Sequence, residues 1–465
     1  MRRSFAISAL VACLALSAAA RTRPRYGGTL RIEIQGDPWQ LPGGLARSLV
    51  LDTLTTLSDT GEPQPSLALR WTAQSLDRRW TFTLRPGVHF QDGAPLSAES
   101  VAASLERSCT NPTAANPSVP NSVPFAPCPW KTVRAVGDAI VFLSETSLPD
   151  LPELLAQTRF AIARPDSSGS IVGTGPFRVT SSTADTLTLA ANDDGWAGRP
   201  FLDSIQIHPH RAIRDQWLDL SLGKADLVEV PPELELQAEQ QQLRVLASRP
   251  VELLALTIAP DGAFASHALR QAVALAVDRA ALSNVIFQKQ GEISASLLPQ
   301  DVSGYAFLFP TDRNLAQARA LRGNARLPTF LLSTNDPGAA LQLAAERLAL
   351  NLQEAGFSVQ VASPGSRTPA PLALRRVLLQ AATPRAALDE MLAQFGQTPF
   401  TQTQFGQNST VSATEAAERA VLDNDTIVPL LWLPRAWALS DRVRDLVLAP
   451  DGSPLLAGAS LEAGK

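Results

Sequence analysis

The sequence predicts an α/β protein, on three observations. Apolar and polar residues alternate in short runs along the first half, as at residues 80–84. Apolar positions three and four apart dominate the second half, as at Leu341, Ala345, Leu348 and Leu352. Turn pairs such as Pro86-Gly87 and Asp92-Gly93 punctuate the pattern. The 465 residues are 45% hydrophobic and 18% charged, enough for two or three globular domains. A formal net charge of −4 argues against a general nucleic-acid binder, which carries a basic excess. No tandem repeat of fixed period is visible.

In chain order, MRRSF is a short basic segment and AISALVACLALSAAA an apolar run too short for a convincing membrane span. Ala18-Ala19-Ala20 fits a small-x-small cleavage site, so residues 1–20 are predicted to be a secretory signal peptide. Leu10-Val11-Ala12-Cys13 also resembles a lipoprotein box in which Cys13 would be acylated, although the apolar run continues past Cys13. Either way the expected location is the periplasm or another extracytoplasmic space.

Residues 27–34 read as a first strand and residues 35–45 as a loop rich in Gly and Pro. Residues 50–107 hold a helix and strands. Within them Trp80, Phe82 and Leu84 face one way, Val88 and Phe90 resume the alternation, and Ser97 is placed to cap a helix striped by Val101 and Leu105. Cys109 and Cys128 enclose a segment with five prolines and no periodicity, which reads as a surface loop. In an oxidising compartment a disulfide closing it is the economical expectation, stabilising by roughly 3 kcal/mol; two unpaired thiols are the alternative.

A strand is expected at residues 139–143, a hairpin over 174–193, a strand over 201–210, a helix over 212–223 and a strand over 225–230. Ser266 is placed to cap a helix that breaks at Asp278-Arg279 and resumes through Leu282, Val285 and Ile286. Asp336-Pro337 signals the start of a longer helix ended by Gly356, with a strand at residues 357–361.

A catalytic constellation is not evident. Of four histidines, His208 and His210 alone are close, and on a strand both would point to one face; no acid or cysteine completes a metal set, and the blander reading is strand-end residues. Ser221-Leu222-Gly223-Lys224 matches an S-x-x-K string without the other motifs of penicillin-recognising enzymes, and Gly223 reads better as a helix end. There is no P-loop, dinucleotide fingerprint or H-E-x-x-H. The expectation is no enzyme, no cofactor and no metal.

Residues 54–71 and 80–107 resemble the N-terminal signature of the peptide/nickel class (family 5) of ABC-transporter solute-binding proteins. Gly61, Pro65, Leu67, Ala68 and Trp71 match its first part. Phe82, Leu84, Arg85, Gly87, Val88, Phe90, Asp92, Gly93 and Pro95 match its second. Further matches follow at residues 173–177, at Asn192, Trp196 and Gly198, at Gly223 and Asp226, over residues 269–282, and at Asp425 and Pro429. The resemblance implies a two-lobed periplasmic-binding-protein fold with a small accessory domain. It divides the chain into lobe I (21–50, 170–255 and 436–465), the accessory domain (51–169) and lobe II (256–435), with hinges near residues 255 and 435.

The function so implied is capture of a small solute, a peptide first of all, and its delivery to the membrane permease of an ABC importer by a monomer. Nickel or another metal complex is a lesser branch. The alternative is an exported receptor-fold sensor or scaffold without a permease, and an exported hydrolase is a distant third. By the same resemblance, Gln35, Asp37 and Trp39 border the cleft, with Trp39 either stacking on ligand or packing locally. Trp432 and Arg435 lie near the returning hinge and are further candidates to face the cleft and bind ligand. Residues 371–391 lack the family's Y-x-D-P element, whose aspartate pairs with a peptide amine. Arg375 and Arg376 stand there instead, either as a fork for an anionic solute or as solvated surface charges.

Overall fold

The alternation at residues 80–84 becomes the strand Arg79–Leu84 because Trp80, Phe82 and Leu84 bury one face of it. The computed structural model describes residues 25–40, 43–58, 60–110, 128–166, 169–305, 309–335, 338–363, 369–397 and 411–462. The signal peptide with Cys13, the body of the proline loop and the Asp336-Pro337 cap lie outside these residues.

Arg79–Leu84 is central to a four-stranded antiparallel sheet, between Ala68–Gln74 and Ala139–Leu143, with Thr132–Val136 at the far edge. The helix Ala98–Thr110 covers it and buries Val101 and Leu105 fully. The helix starts where Ser97 Oγ accepts the Ser100 N–H, while Ser100 Oγ accepts the Ser97 N–H. Phe82, Phe142, Trp130 and Phe160 pack ring to ring inside this unit. Cys109 and Cys128 form a disulfide at its edge.

The second sheet has eleven strands. One half runs from the hairpin Phe177–Ser182 and Leu187–Ala191 through Ser204–His208 and Thr29–Glu33 to Leu227–Val230. The other half contains Leu372–Leu378, Phe330–Thr334 and Val359–Val361, all parallel. Two long antiparallel strands, Arg244–Ile258 and Ile427–Leu439, join the halves. Residues 436–439 pair with Leu227–Val230, whereas residues 252–258 pair with Leu372–Leu378. The change-over falls where Pro250 faces Pro434, flanked by register shifts. Neither proline donates a ladder hydrogen bond, so the sheet is thinnest in hydrogen bonds at this joint.

Each half keeps its own core. Leu30, Ile32, Leu49, Phe177, Ile205 and Trp437 belong to one; Leu256, Phe264, Val273, Leu332, Leu348 and Leu430 belong to another. The helix Ala339–Glu354 carries the expected stripe, with Leu341, Ala345, Leu348 and Leu352 buried. Ser266 occupies the N-cap of His267–Ala276 but its side chain makes no cap bond. The break at Asp278 is capped, since its Oδ1 accepts the Ala281 N–H at 2.9 Å before a π-helical turn, Leu282–Ile286. The strand at Ser204 ends at His208, and His210 takes a left-handed backbone (φ 58°). The two histidines therefore do not share one strand face. His208 Nδ1 lies 3.1 Å from Thr186 Oγ1. Ser221 Oγ donates to the Leu218 carbonyl at the end of its helix, which engages the hydroxyl of the S-x-x-K string.

Candidate functional site

The parallel strands of the two halves send their C-terminal ends toward the joint, and the loops that leave them meet there as a seam. Parallel α/β sheets characteristically hold ligands at such ends. The loop after Thr29–Glu33 comes first. The Gln35 N–H donates to Glu229 Oε2 at 2.6 Å, and Asp37 Oδ1 accepts the Trp39 N–H at 2.7 Å, which tightens the turn. Trp39 is partly buried and packs against the core around the first strand. Trp432 is 1% exposed, within a core cluster that includes Leu253, Leu297 and Met391. Arg435 is half-buried at the joint; its Nη1 reaches the Asp451 carbonyl (3.4 Å) and Ser453 Oγ (3.3 Å), and its Nε stands 3.7 Å from Glu252.

Four further residues complete this polar floor, and sequence reasoning missed the acids among them. Glu252 also faces Arg376 at 3.7 Å. Burial raises the Glu229 carboxyl, while the Gln35 N–H, Arg435, Gln216 and Arg376 favour its charged form. The Arg376 backbone is held by Asn335, through its N–H to Oδ1 (3.0 Å) and its carbonyl from Nδ2 (3.1 Å). Arg375 has its guanidinium 5.4 Å above the Phe395 ring, and burial lowers its pKa. Both arginines are partly buried on a strand that lies between two others in the sheet, so neither is a fully solvated surface charge.

Beside the floor the halves touch directly. Gly43 sits at φ 79°, and a Cβ there would fall 2.6 Å from Leu378 Cδ2. Thr158 Oγ1 and the Gln380 side-chain amide are 3.2–3.3 Å apart, and Gln380 Nε2 donates to Asp451 Oδ2 at 3.1 Å. Glu390 is enclosed by four donors: the N–H groups of Gln380 (3.1 Å) and Ala381 (2.8 Å), Gln157 Nε2 (3.1 Å) and Gln394 Nε2 (3.3 Å). Its carboxyl is pushed up to about 7, with burial the largest cause. Arg47 and Arg159 adjoin this cluster, both pushed down to about 10 chiefly by burial. Sequence reading had one available signal for Arg47, a lone charge in the apolar helix LARSLV. Among the described residues no group of three or more His, Cys, Asp or Glu is placed to hold a metal ion.

Residues 62–412 match the family model for bacterial extracellular solute-binding proteins, family 5 (middle region). The chain belongs to the family 5 solute-binding proteins. Among curated relatives, a probable di/tripeptide-binding protein 5 of Pseudomonas aeruginosa is 25% identical over 337 residues, 65% of this chain and 64% of the relative. The transcriptional regulator SgrR of Escherichia coli O1:K1 is 30% identical over 176 residues, 36% of this chain and 29% of the regulator. The alignments span 36%, 64% and 55% of three such relatives' lengths. Among solved structures, NikA of Staphylococcus aureus in complex with Ni(L-His)2 superposes with a TM-score of 0.79 at 18% identity, covering 93% of this chain and all of that one. Its two-lobed architecture is the fold of this family 5 protein. The family is a class of extracytoplasmic receptors, and among the described residues no helix is long and apolar enough to cross a membrane.

Proposed function

We propose that this family 5 protein is an exported receptor that captures a small solute, a peptide first of all, between two lobes and hands it to the permease of an ABC importer. The observation that carries the reading is the joint: two separately cored halves share long strands interrupted by facing prolines, and polar side chains meet across the seam beside it. Solute touching both halves favours the closed arrangement, so binding shifts the population toward closure, and a permease reads loaded from empty by shape. The working division is lobe I at 21–50, 170–255 and 436–465, an accessory domain at 51–169 and lobe II at 256–435. Residues 1–20 act as a signal peptide, or Cys13 carries a lipid. The mature chain works as a monomer, and its task is binding without bond-making.

The test is a thermal-shift screen of mature protein refolded to strip bound solute, against di- to pentapeptides, amino-acid conjugates and nickel chelates. A rise in Tm with one peptide class is the expected result. Silence from a well-folded sample would withdraw the transport reading. A sensory role for the same fold would then take its place; the similarity to part of a transcriptional regulator favours that second reading.

A further inference from the structure

The four-stranded sheet buries one face under the helix Ala98–Thr110, where Trp80, Phe82, Ile140 and Phe142 point. The alternate residues form the outer face, and the strand register sets them in three rows of four. Arg79 stands in the first row, Arg134 in the second and Arg70 in the third, all exposed. The other nine positions hold four threonines, one glutamine and four apolar residues, and no acid. Among the described residues none of the three arginines makes an ion pair or a side-chain hydrogen bond.

This face runs against the charge of the chain, in which 44 acids outnumber 40 lysines and arginines. Acids appear only on its rim, where Asp77, Asp138 and Glu145 stand in the flanking turns beside Arg78 and Lys131, and Lys131 Nζ pairs with Glu145 at 2.6 Å. The face itself therefore keeps its positive charge. Strands about 4.8 Å apart and rows about 7 Å apart place the three arginine Cα atoms about 12–16 Å from one another, spread over a plane rather than gathered round one anion. Short threonines between them keep the plane flat. Apolar side chains project with the arginines: Val136 in the third row is 57% exposed, and Leu76 in the turn before Arg78 and Arg79 is 71% exposed. A flat face with spaced cations and projecting apolar groups complements the headgroup region of an anionic bilayer.

We propose that the outer face of this sheet docks the protein on a membrane surface of anionic phospholipid, with Arg70, Arg79 and Arg134 each meeting a lipid phosphate. The guanidinium fork suits phosphate oxygens, and no internal pair has to be broken to present it. The helix Ala98–Thr110 packs on the opposite face, so docking leaves the core of this unit untouched. The seam between the two halves contributes no residue to this face, and solute capture is a separate event.

The experiment sediments the mature protein with vesicles of phosphatidylcholine alone and of phosphatidylcholine with about one-third phosphatidylglycerol. Binding to the anionic vesicles at low salt is expected, with none to the neutral ones and a loss at about 0.5 M NaCl, where charges are screened within a few ångströms. The triple variant Arg70→Gln, Arg79→Gln, Arg134→Gln should need about a hundredfold more lipid for half-binding, and each single variant about fivefold more. The triple Arg178→Gln, Arg214→Gln, Arg326→Gln makes the same change in charge at exposed residues away from this sheet and should bind like wild type. Circular dichroism checks each fold, and the single variants carry the test if the first triple does not fold. Equal binding to neutral vesicles, no binding to anionic ones, or an equal loss in the second triple overturns the inference. So does release by inorganic phosphate at matched ionic strength, which would assign a small-anion site, or a dimer that the first triple breaks without any vesicle binding, which would assign the face to a second copy. The thermal-shift screen reads solute binding separately, so either reading can fail alone.

Discussion

Glu390 and Glu418 are carboxylates whose surroundings hold them near neutrality. Glu418 is fully buried, accepts the N–H groups of Leu297 and Leu298 and the Tyr305 hydroxyl, and is pushed up to about 7, mainly by burial. Glu390 is raised to the same value. The folded form of each binds its proton more tightly than an unfolded glutamate, whose pKa is about 4.3. Their contribution is therefore fully present below about pH 4.3 and is lost as pH rises through about 7. Tm should fall between pH 5 and pH 8, by the equivalent of about 1–3 kcal/mol per group. The double variant Glu390→Gln, Glu418→Gln should flatten that slope in a calorimetric pH series; a slope that persists in the double variant would assign it elsewhere. Asp92 and Asp203, near Arg164 and Arg199, are lowered instead, so their effect is confined to more acid conditions.

The loop that leads into Leu45–Val50 shows how an element depends on one backbone conformation. Gly43 has φ 79° and lies where any Cβ meets Leu378 Cδ2 at 2.6 Å and Arg435 Nη1 at 3.4 Å. A side chain there is strained in the left-handed region and also pries the halves apart. Gly43→Ala should lower Tm by the equivalent of about 1–3 kcal/mol and weaken any ligand-induced shift, whereas Gly87→Ala, at φ 74° with nothing within 4 Å, should cost the backbone strain alone. Comparing the two variants in one thermal-shift series separates strain from contact. Gly87 was legible as a turn from Pro86-Gly87; Gly43 was read as part of a loop, because its neighbour Leu378 is distant in sequence.

Gln380 bridges the second half to Asp451 of the first, and Thr158 and Gln157 of the four-stranded unit bond Gln380 and Glu390 of the second half. Cutting them biases the molecule toward an open form without touching either core. Gln380→Ala should enlarge the radius of gyration of ligand-free protein in small-angle scattering, while saturating ligand should return it toward the wild-type value. An unchanged radius would mean that these bridges do not hold the halves together. Pro250 opposite Pro434 locates the change-over one residue before the position near 435, and five before the position near 255, where resemblance places the hinges.

The sequence by itself determined what depends on neighbours a few positions away. It specified the α/β class, the aromatic strand Arg79–Leu84, the capped helix Ala98–Thr110, the stripe of Ala339–Glu354 and the family, because alternation, caps and turn pairs are local. Tertiary structure alone decided which charges count. Trp432 is a candidate cleft aromatic in sequence but is packed inside a core, and Arg375 and Arg376, by sequence either a fork for an anion or surface charges, sit on a central strand. Arg47, Thr158 and the pair Gln380 and Glu390 come from three segments more than a hundred residues apart. Their burial and mutual distance are set by how the halves close on each other, which no local pattern encodes.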